Sequence, residues 1–414
     1  MKCARQHKTM SFTGKLRPLI AASAACLLLA GCATGPKQFE RATLDTSQQD
    51  LVASKPAALQ SYYRDLYAEG RRNEVLNLME IGTAAYRLGL YNEAKSALDE
   101  ARLNIESVYA DNDAARKARS IWYEESEKEF KGEAYERCMV YFYLGLIFLQ
   151  EGDYGNARAS FISGLLQDAF AEEEQHSADF ASLLYLAGWS ARLMGSETLA
   201  QEHFRELQLY RPDAPLPGPD DNVLLIAETG TSPRKLADGV GHYQLVYRRG
   251  KDFKDTAAVV RIDDSWTRLY PIEDVYFQAS TRGGRAIDRI VKGQVEFKSN
   301  AREFGTSLSE VSRSNWLAGA SAAAGGALGA GYAAVSLVSV AAQGLSASAV
   351  VRADTRYWDG LPDTVHLLPM HATANEGLTI RYLDSHGIPV GGLSKRFAVH
   401  MDANGNGVAF ASSR

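Results

Sequence analysis

Hydrophobic positions along this chain change their period twice. After a polar, aperiodic stretch at 35–56, which reads as a flexible tether, apolar residues recur at helical spacing to about residue 210 and predict an all-helical region. Four prolines and a glycine within 212–221 break that pattern. Beyond it, the period changes and predicts strands at 222–228, 242–248, 257–262 and 275–279, then a helical or mixed segment at 283–301. Strands return at 364–370, 378–383, 396–401 and 407–411, with Gly387, Gly391 and Gly392 as turns, so a small antiparallel sandwich is expected there. Between the two β-rich parts, 314–351 carries no charged residue and sets Gly319, Gly325, Gly326, Gly329 and Gly331 among alanines. That segment reads as a helix or hairpin packed on the sheet or the helices. The alternative is a hairpin that enters a bilayer or builds an oligomer through small-residue helix contacts.

The helical region repeats itself. One segment carries Leu78, Ile81, Gly82, Ala85, Gly89, Tyr91, Ala94, Leu98 and Ala101, and a second carries Tyr141, Leu144, Gly145, Phe148, Gly152, Tyr154, Ala157, Phe161 and Gly164. A looser third has Leu184, Ala187, Gly188, Ala191, Gly195, Ala200, Phe204 and Leu207. Small residues at contact positions, large ones between them and a glycine ending the first helix resemble the tetratricopeptide (TPR) pattern. The spacing departs from it: Gly82 to Gly145 is 63 residues and Gly145 to Gly188 is 43, against about 34 in tandem arrays. The first gap leaves room for another helix or pair, including the charged stretch 116–137. A generic irregular helical bundle is the competing reading. In a TPR-like array the concave face comes from the first helix of each pair. Here that face would be Leu76, Met79, Thr83, Tyr86 and Arg87, then Met139, Phe142, Leu146, Leu149 and Gln150, then Ser182, Tyr185, Trp189, Arg192 and Leu193. The middle set is almost wholly apolar and needs a cover. The inserted helix between the first two pairs is the favoured cover, and a partner helix or peptide the other. Tyr86, Arg87, Tyr185, Trp189 and Arg192 are the partner-binding candidates.

Basic Lys15 and Arg17 precede an apolar run, 19–30, which ends in Leu29-Ala30-Gly31-Cys32. This arrangement resembles the lipobox of bacterial lipoproteins and implies cleavage before Cys32 and acylation of that cysteine, palmitate included. About a dozen apolar residues are too few to span a bilayer core roughly 30 Å thick. In such lipoproteins Asp after the cysteine favours the inner membrane, so Ala33 implies the outer membrane, periplasmic side. Met10 is an alternative start to Met1. The net charge of −5 includes five basic residues and no acid in the signal, leaving about −10 for the 382 residues beyond Cys32. That balance argues against nucleic acid and against an electrostatic grip on anionic lipid, which leaves the anchor to acyl chains. Of four cysteines, Cys3 and Cys26 lie in the signal, Cys32 is acylated, and Cys138 reads as a buried small hydrophobe.

No metal site or other cofactor is expected. The seven histidines after the signal are scattered, and Asp402-Ala403-Asn404-Gly405-Asn406-Gly407 matches only the first half of an EF-hand loop, so an Asn-Gly hairpin turn is the better reading. No paired acid and base or activated nucleophile appears, so no enzyme is expected. Three further strings matter: Phe130-Lys131-Gly132-Glu133-Ala134-Tyr135-Glu136-Arg137, Ser280-Thr281-Arg282-Gly283-Gly284-Arg285, and Ala353-Asp354-Thr355-Arg356-Tyr357-Trp358 leading to Leu361-Pro362. With the lipobox and the repeats they resemble a family of bacterial TPR-like outer-membrane lipoproteins with no assigned chemistry, some encoded near lipoprotein activators of penicillin-binding proteins. Arg282, Arg285 and Arg356 are weak anion-site candidates, since they could grip a carboxylate or phosphate; Arg356 could also stack on Trp358. The alternative is that they staple the sheet to acids such as Asp288 or Asp354.

The expected fold is multidomain, α then α+β. It comprises a signal peptide (1–31), a lipidated cysteine and tether (32–60), TPR-like helices (61–211), an α/β region (212–313), the charge-free Gly/Ala-rich segment (314–352) and a small antiparallel β domain (353–414). The expected role is a scaffold that binds envelope proteins through the groove, with a homo-oligomer possible. The alternative is a self-assembling membrane component that uses the Gly/Ala-rich segment to insert or oligomerise.

Overall fold

The computed structural model describes residues 39–109, 129–169, 179–238, 244–281, 354–374 and 376–414. Cys32, the inserted stretch 110–128, Arg282, Arg285 and the Gly/Ala-rich segment lie outside the described residues. The chain divides into two units, Met1–Thr43 and Leu44–Arg414, and the second holds every described helix and strand.

Eight described helices open this second unit: α1 (Thr46–Ser54), α2 (Gln60–Glu69), α3 (Glu74–Arg87), α4 (Tyr91–Tyr109), α5 (Ala134–Gln150), α6 (Tyr154–Ala169), α7 (Ala181–Leu193) and α8 (Glu197–Tyr210). Helix α1 falls inside the stretch expected to be a tether. Its start is fixed by a reciprocal capping box, in which Asp45 accepts from the Gln48 backbone N–H at 2.8 Å and Gln48 accepts from that of Asp45 at 3.0 Å. Val52 then buries against the first helices.

Three helical hairpins, α3/α4, α5/α6 and α7/α8, share one internal plan. Gly82 faces Leu98, Gly145 faces Phe161 and Gly188 faces Phe204; a Cβ on these glycines would come within 2.4, 2.2 and 2.7 Å of the facing side chain. The missing side chain lets each pair of axes approach closely. Gly152, at φ +74°, ends the first helix of the middle hairpin in the left-handed region, with Gly89 and Gly195 as its counterparts. Gly164 repeats the device between hairpins, where a Cβ would lie 2.8 Å from Leu183 on α7.

The strands are β1 (Val223–Thr229), β2 (Arg234–Asp238), β3 (Gln244–Arg248), β4 (Ala257–Ile262), β5 (Ser265–Arg268), β6 (Tyr270–Asp274), β7 (Thr364–Met370), β8 (Gly377–Leu383), β9 (Pro389–Ala398) and β10 (Gly407–Ser412). They form an inner sheet in the order β10-β1-β7-β6, an outer sheet in the order β5-β4-β8-β9, and a β2-β3 hairpin. β10 runs parallel to β1, with Val223 opposite Gly407, and the other pairings are antiparallel. The two β-rich stretches, expected as separate regions, therefore interleave strand by strand in one sandwich. The stretch 275–279, expected as a strand, is instead part of helix α9 (Val275–Thr281), because the Asp274 carboxylate accepts from the Phe277 N–H at 2.9 Å and caps it. Gly391 and Gly392, expected as turn residues, lie within edge strand β9.

The result is three layers: helices, inner sheet, outer sheet. Leu224 and Ile226 of β1 join the helical core, while Val223, Leu225 and Ala227 face the outer sheet with Ala258, Val260 and Ile380. Every residue of β1 is buried, and Val223 to Ala227 form the unbroken apolar run of a strand covered on both faces, while Glu228 and Thr229 at its end are buried polar residues.

Candidate functional site

The inner face of the helical hairpins is covered by the chain's own inner sheet and the turns attached to it. Tyr86 is fully buried, its ring packed edge-on to Phe410 of β10 at 4.8 Å. Arg87 donates from Nε and Nη2 to the buried Glu228 carboxylate of β1 at 2.9 and 2.7 Å, and Tyr143 Oη donates to the other oxygen. Tyr185 is buried and donates to the Pro215 carbonyl at 3.0 Å. Trp189 is fully buried beneath the Arg192 guanidinium, which donates to the carbonyls of Gly218, Pro219 and Asp221 and so holds the proline-rich connection. The five groove candidates thus fall in two sets, Tyr86 and Arg87 against the inner sheet and Tyr185, Trp189 and Arg192 against the proline-rich connection, and both are spent on the chain itself. The apolar middle set, Met139, Phe142, Leu146 and Leu149, is buried too. The described cover is neither an inserted helix nor a partner but the inner sheet, which can lie there because β1 and β10 are apolar on both faces.

A second cover is the segment 354–361, which runs over α3 and α5. Trp358 is fully buried; its backbone N–H donates to Glu136 Oε1 at 2.6 Å, and its ring lies 6.0 Å from that of Tyr143. The N–H groups of Asp359 and Gly360 donate to Glu80 at 2.9 and 3.2 Å. Of the readings of Arg356, the geometry has the staple: its guanidinium pairs with Asp354 at 2.6 Å, donates to Asn73 and to the Arg72 carbonyl, and lies over the Phe130 ring rather than on Trp358.

Several carboxyls at these junctions are displaced from their ordinary range. Burial pushes Glu136 up to about 7, against the pull of Lys235, and raises Glu273 to about 7, against Arg211. Burial, then the neighbouring Asp359, takes Glu80 to about 8. Glu273 accepts from the Ser182 N–H at 3.0 Å in the first turn of α7, whose cap residue, Phe180, supplies no polar side chain. That places a carboxyl from β6 at the positive end of a helix dipole. Such values suit proton transfer, yet main-chain N–H groups occupy both Glu136 oxygens, and Ser182 and Gln278 occupy those of Glu273. These groups join layers. Among the described residues no cluster of His, Cys, Asp or Glu could hold a metal ion. The half EF-hand string folds as a turn, Asp402 Oδ1 accepting from the Asn404 and Asn406 N–H groups at 2.8 and 3.1 Å while Tyr154 donates to its other oxygen.

The outer face of the outer sheet was not anticipated. Ala258, Val260, Ile380 and Tyr382 point inward and are fully buried, which turns Arg261 of β4 and Arg381 of β8 outward. Cross-strand register adds Trp266 opposite Arg261 and Arg396 opposite Thr379. The Arg381 guanidinium lies 4.2 Å from the centre of the Trp266 ring. The signal was present in the alternation of 257–262 and 378–383, where inward apolar residues are interleaved with outward polar or basic ones; β5, too short to predict, supplied the aromatic.

No protein-family model matches this chain, and no curated relative or solved structure matches it.

Proposed function

We propose that this chain is an outer-membrane lipoprotein, acylated on Cys32 and facing the periplasm, that serves an envelope assembly as a scaffold and not as an enzyme. Its helical hairpins are TPR-like, with an array's groove turned to internal use: they clasp a β-sandwich and present it. The observation that carries this reading is the Arg87–Glu228–Tyr143 junction, where the central groove position is taken by β1 of the same chain. The shared glycine plan of the three hairpins supports the TPR-like assignment, and Leu29-Ala30-Gly31-Cys32 supports the anchor. Contacts with other proteins then fall to the surface of the sandwich.

Two measurements test it. Labelled palmitate is expected on the wild-type chain and absent from Cys32→Ser; an unlabelled wild type overturns the anchor. A photoreactive residue in place of Ile388, which is 60 % exposed between β8 and β9 of the sandwich, is expected to cross-link a defined envelope protein in cells, and one in place of Leu146 only this chain itself. Cross-linking of another protein from Leu146 alone would return the partner to the groove.

A further inference from the structure

The outer face of the outer sheet gathers arginines and an exposed tryptophan on an otherwise acidic protein. Arg261 and Arg396 sit in one row across β4, β8 and β9, two strand spacings or about 10 Å apart. Arg381 lies in the adjacent row, over the Trp266 ring, and Trp266 remains 38 % exposed. Arg396 lies across Gly377, where a Cβ would come within 3.2 Å of its Nη2, so the glycine lets the guanidinium lie down on the sheet. Arg261 meets Asp264 at 3.1 Å in an exposed pair, which screening leaves weak. Arg381 and Arg396 are exposed, and neither has a carboxylate at ion-pair distance among the described residues.

The geometry points to a docking surface for anionic phospholipid headgroups. This deepens the anchored-scaffold reading and rests on it, since acyl chains on Cys32 supply the nearness. Three features favour lipid over an acidic peptide or glycan. The arginines stand on one outward face of a four-stranded sheet, spread over neighbouring strands, and separate headgroups likewise present their phosphates side by side, where each guanidinium fork can take one bidentately. An indole held among arginines is suited to the headgroup level of a bilayer. The 13 residues from Ala33 to Asp45 reach at most about 45 Å when extended, so acylation of Cys32 ties the start of α1 to within that distance of the leaflet. The net charge of the chain conceals this face. An acidic body with one cationic side is oriented by an anionic surface, even though the protein as a whole is not attracted to it.

The test uses the mature chain, exported with a cleavable non-lipid signal so that neither acyl chains nor signal remain. Co-sedimentation is measured with phosphatidylcholine vesicles and with mixed phosphatidylcholine–phosphatidylglycerol vesicles, at low and high salt. Binding is expected only to the mixed vesicles and only at low salt. Arg381→Ala/Arg396→Ala is expected to weaken it on the order of 30-fold. Trp266→Ala, whose ring is surface-exposed, tests the aromatic separately, and circular dichroism checks each fold. Equal binding to both vesicles, binding that the arginine variants leave intact, or no binding at all overturns the proposal. Palmitate labelling stands apart from these arms: its loss with vesicle binding intact would sink the anchored reading alone, and the converse would sink only the lipid face.

Discussion

The Arg87 guanidinium and the Glu228 carboxylate meet at 2.7 Å with the carboxylate almost wholly out of water, and this contact joins α3 of the helical half to β1 of the sandwich. A buried pair of this kind adds little over an apolar replacement, yet breaking it from one side leaves a charge with no water. Arg87→Met is therefore expected to cost about 3–5 kcal/mol, with only Tyr143 left to serve Glu228. The double variant Arg87→Met/Glu228→Gln should recover most of that loss. Urea unfolding of the three proteins measures it, and a single variant as stable as the wild type would show that the pair holds nothing.

The hairpin plan predicts intolerance of one methyl group. In Gly145→Ala the new Cβ would meet the Phe161 ring at 2.2 Å, and that ring is itself fully buried. Overpacking of about 1–3 kcal/mol outweighs the gain in helix propensity of about 1 kcal/mol, so net destabilisation is expected. Phe161→Leu in the Gly145→Ala background should restore part of the loss in thermal melts; a further drop would place the strain elsewhere.

Glu273 gives a pH prediction with a definite sign. Its carboxyl titrates near 4.5 in the unfolded chain and at about 7 in the folded protein, because burial disfavours its charged form. Between those values the folded state holds a proton that the unfolded state has lost. The contribution of Glu273 to stability is thus greatest below 4.5, falls as pH rises to about 7, and stops falling beyond. Glu273→Gln keeps an acceptor for the Ser182 N–H and cannot titrate. Its urea midpoint should change less than that of the wild type between about pH 5 and about pH 8; parallel curves would mean that Glu273 titrates normally. Glu136 contributes with the same sign, so the variant is expected to flatten the curve only in part.

Trp358 pins the segment 354–361 across α3 and α5. Trp358→Ala is expected to cost about 3–5 kcal/mol through the cavity it leaves. It should also open that segment to limited proteolysis before the rest of the protein unfolds. Protection equal to the wild type would assign the clamp to Arg356 and its Asp354 and Asn73 contacts instead.

The helical half was largely legible because its determinants are local. A glycine and the large residue it faces lie on adjacent helices a fixed distance apart in sequence, as Gly82 with Leu98 and Gly188 with Phe204, and a glycine closes each first helix. Helix α9 was hidden by its own composition: Val275, Tyr276 and Phe277 favour a strand, and a single cap from Asp274 reverses the outcome. The interleaved sandwich was hidden for a different reason, since no local pattern states that β10 lies beside β1 in parallel. The inward face of the first helices could be read from their spacing, but the apolar character of Met139, Phe142, Leu146 and Leu149 does not say whether another molecule or the chain's own sheet will cover them. Arg261, Arg381 and Arg396 escaped notice because net charge averages over the surface on which a sheet face is gathered.

The place of β10 beside β1 also sets an order in time. Among the described strands β1 is the first made and β10 the last, and until β10 arrives the edge of β1 has no partner on that side and Tyr86 lacks the Phe410 ring that packs on it. A chain that emerges amino end first carries the part of its helical face around Tyr86 without that cover through the making of the rest of the sandwich. That part of the helical half is in effect a client of β10, and its vulnerable interval ends only when that strand arrives.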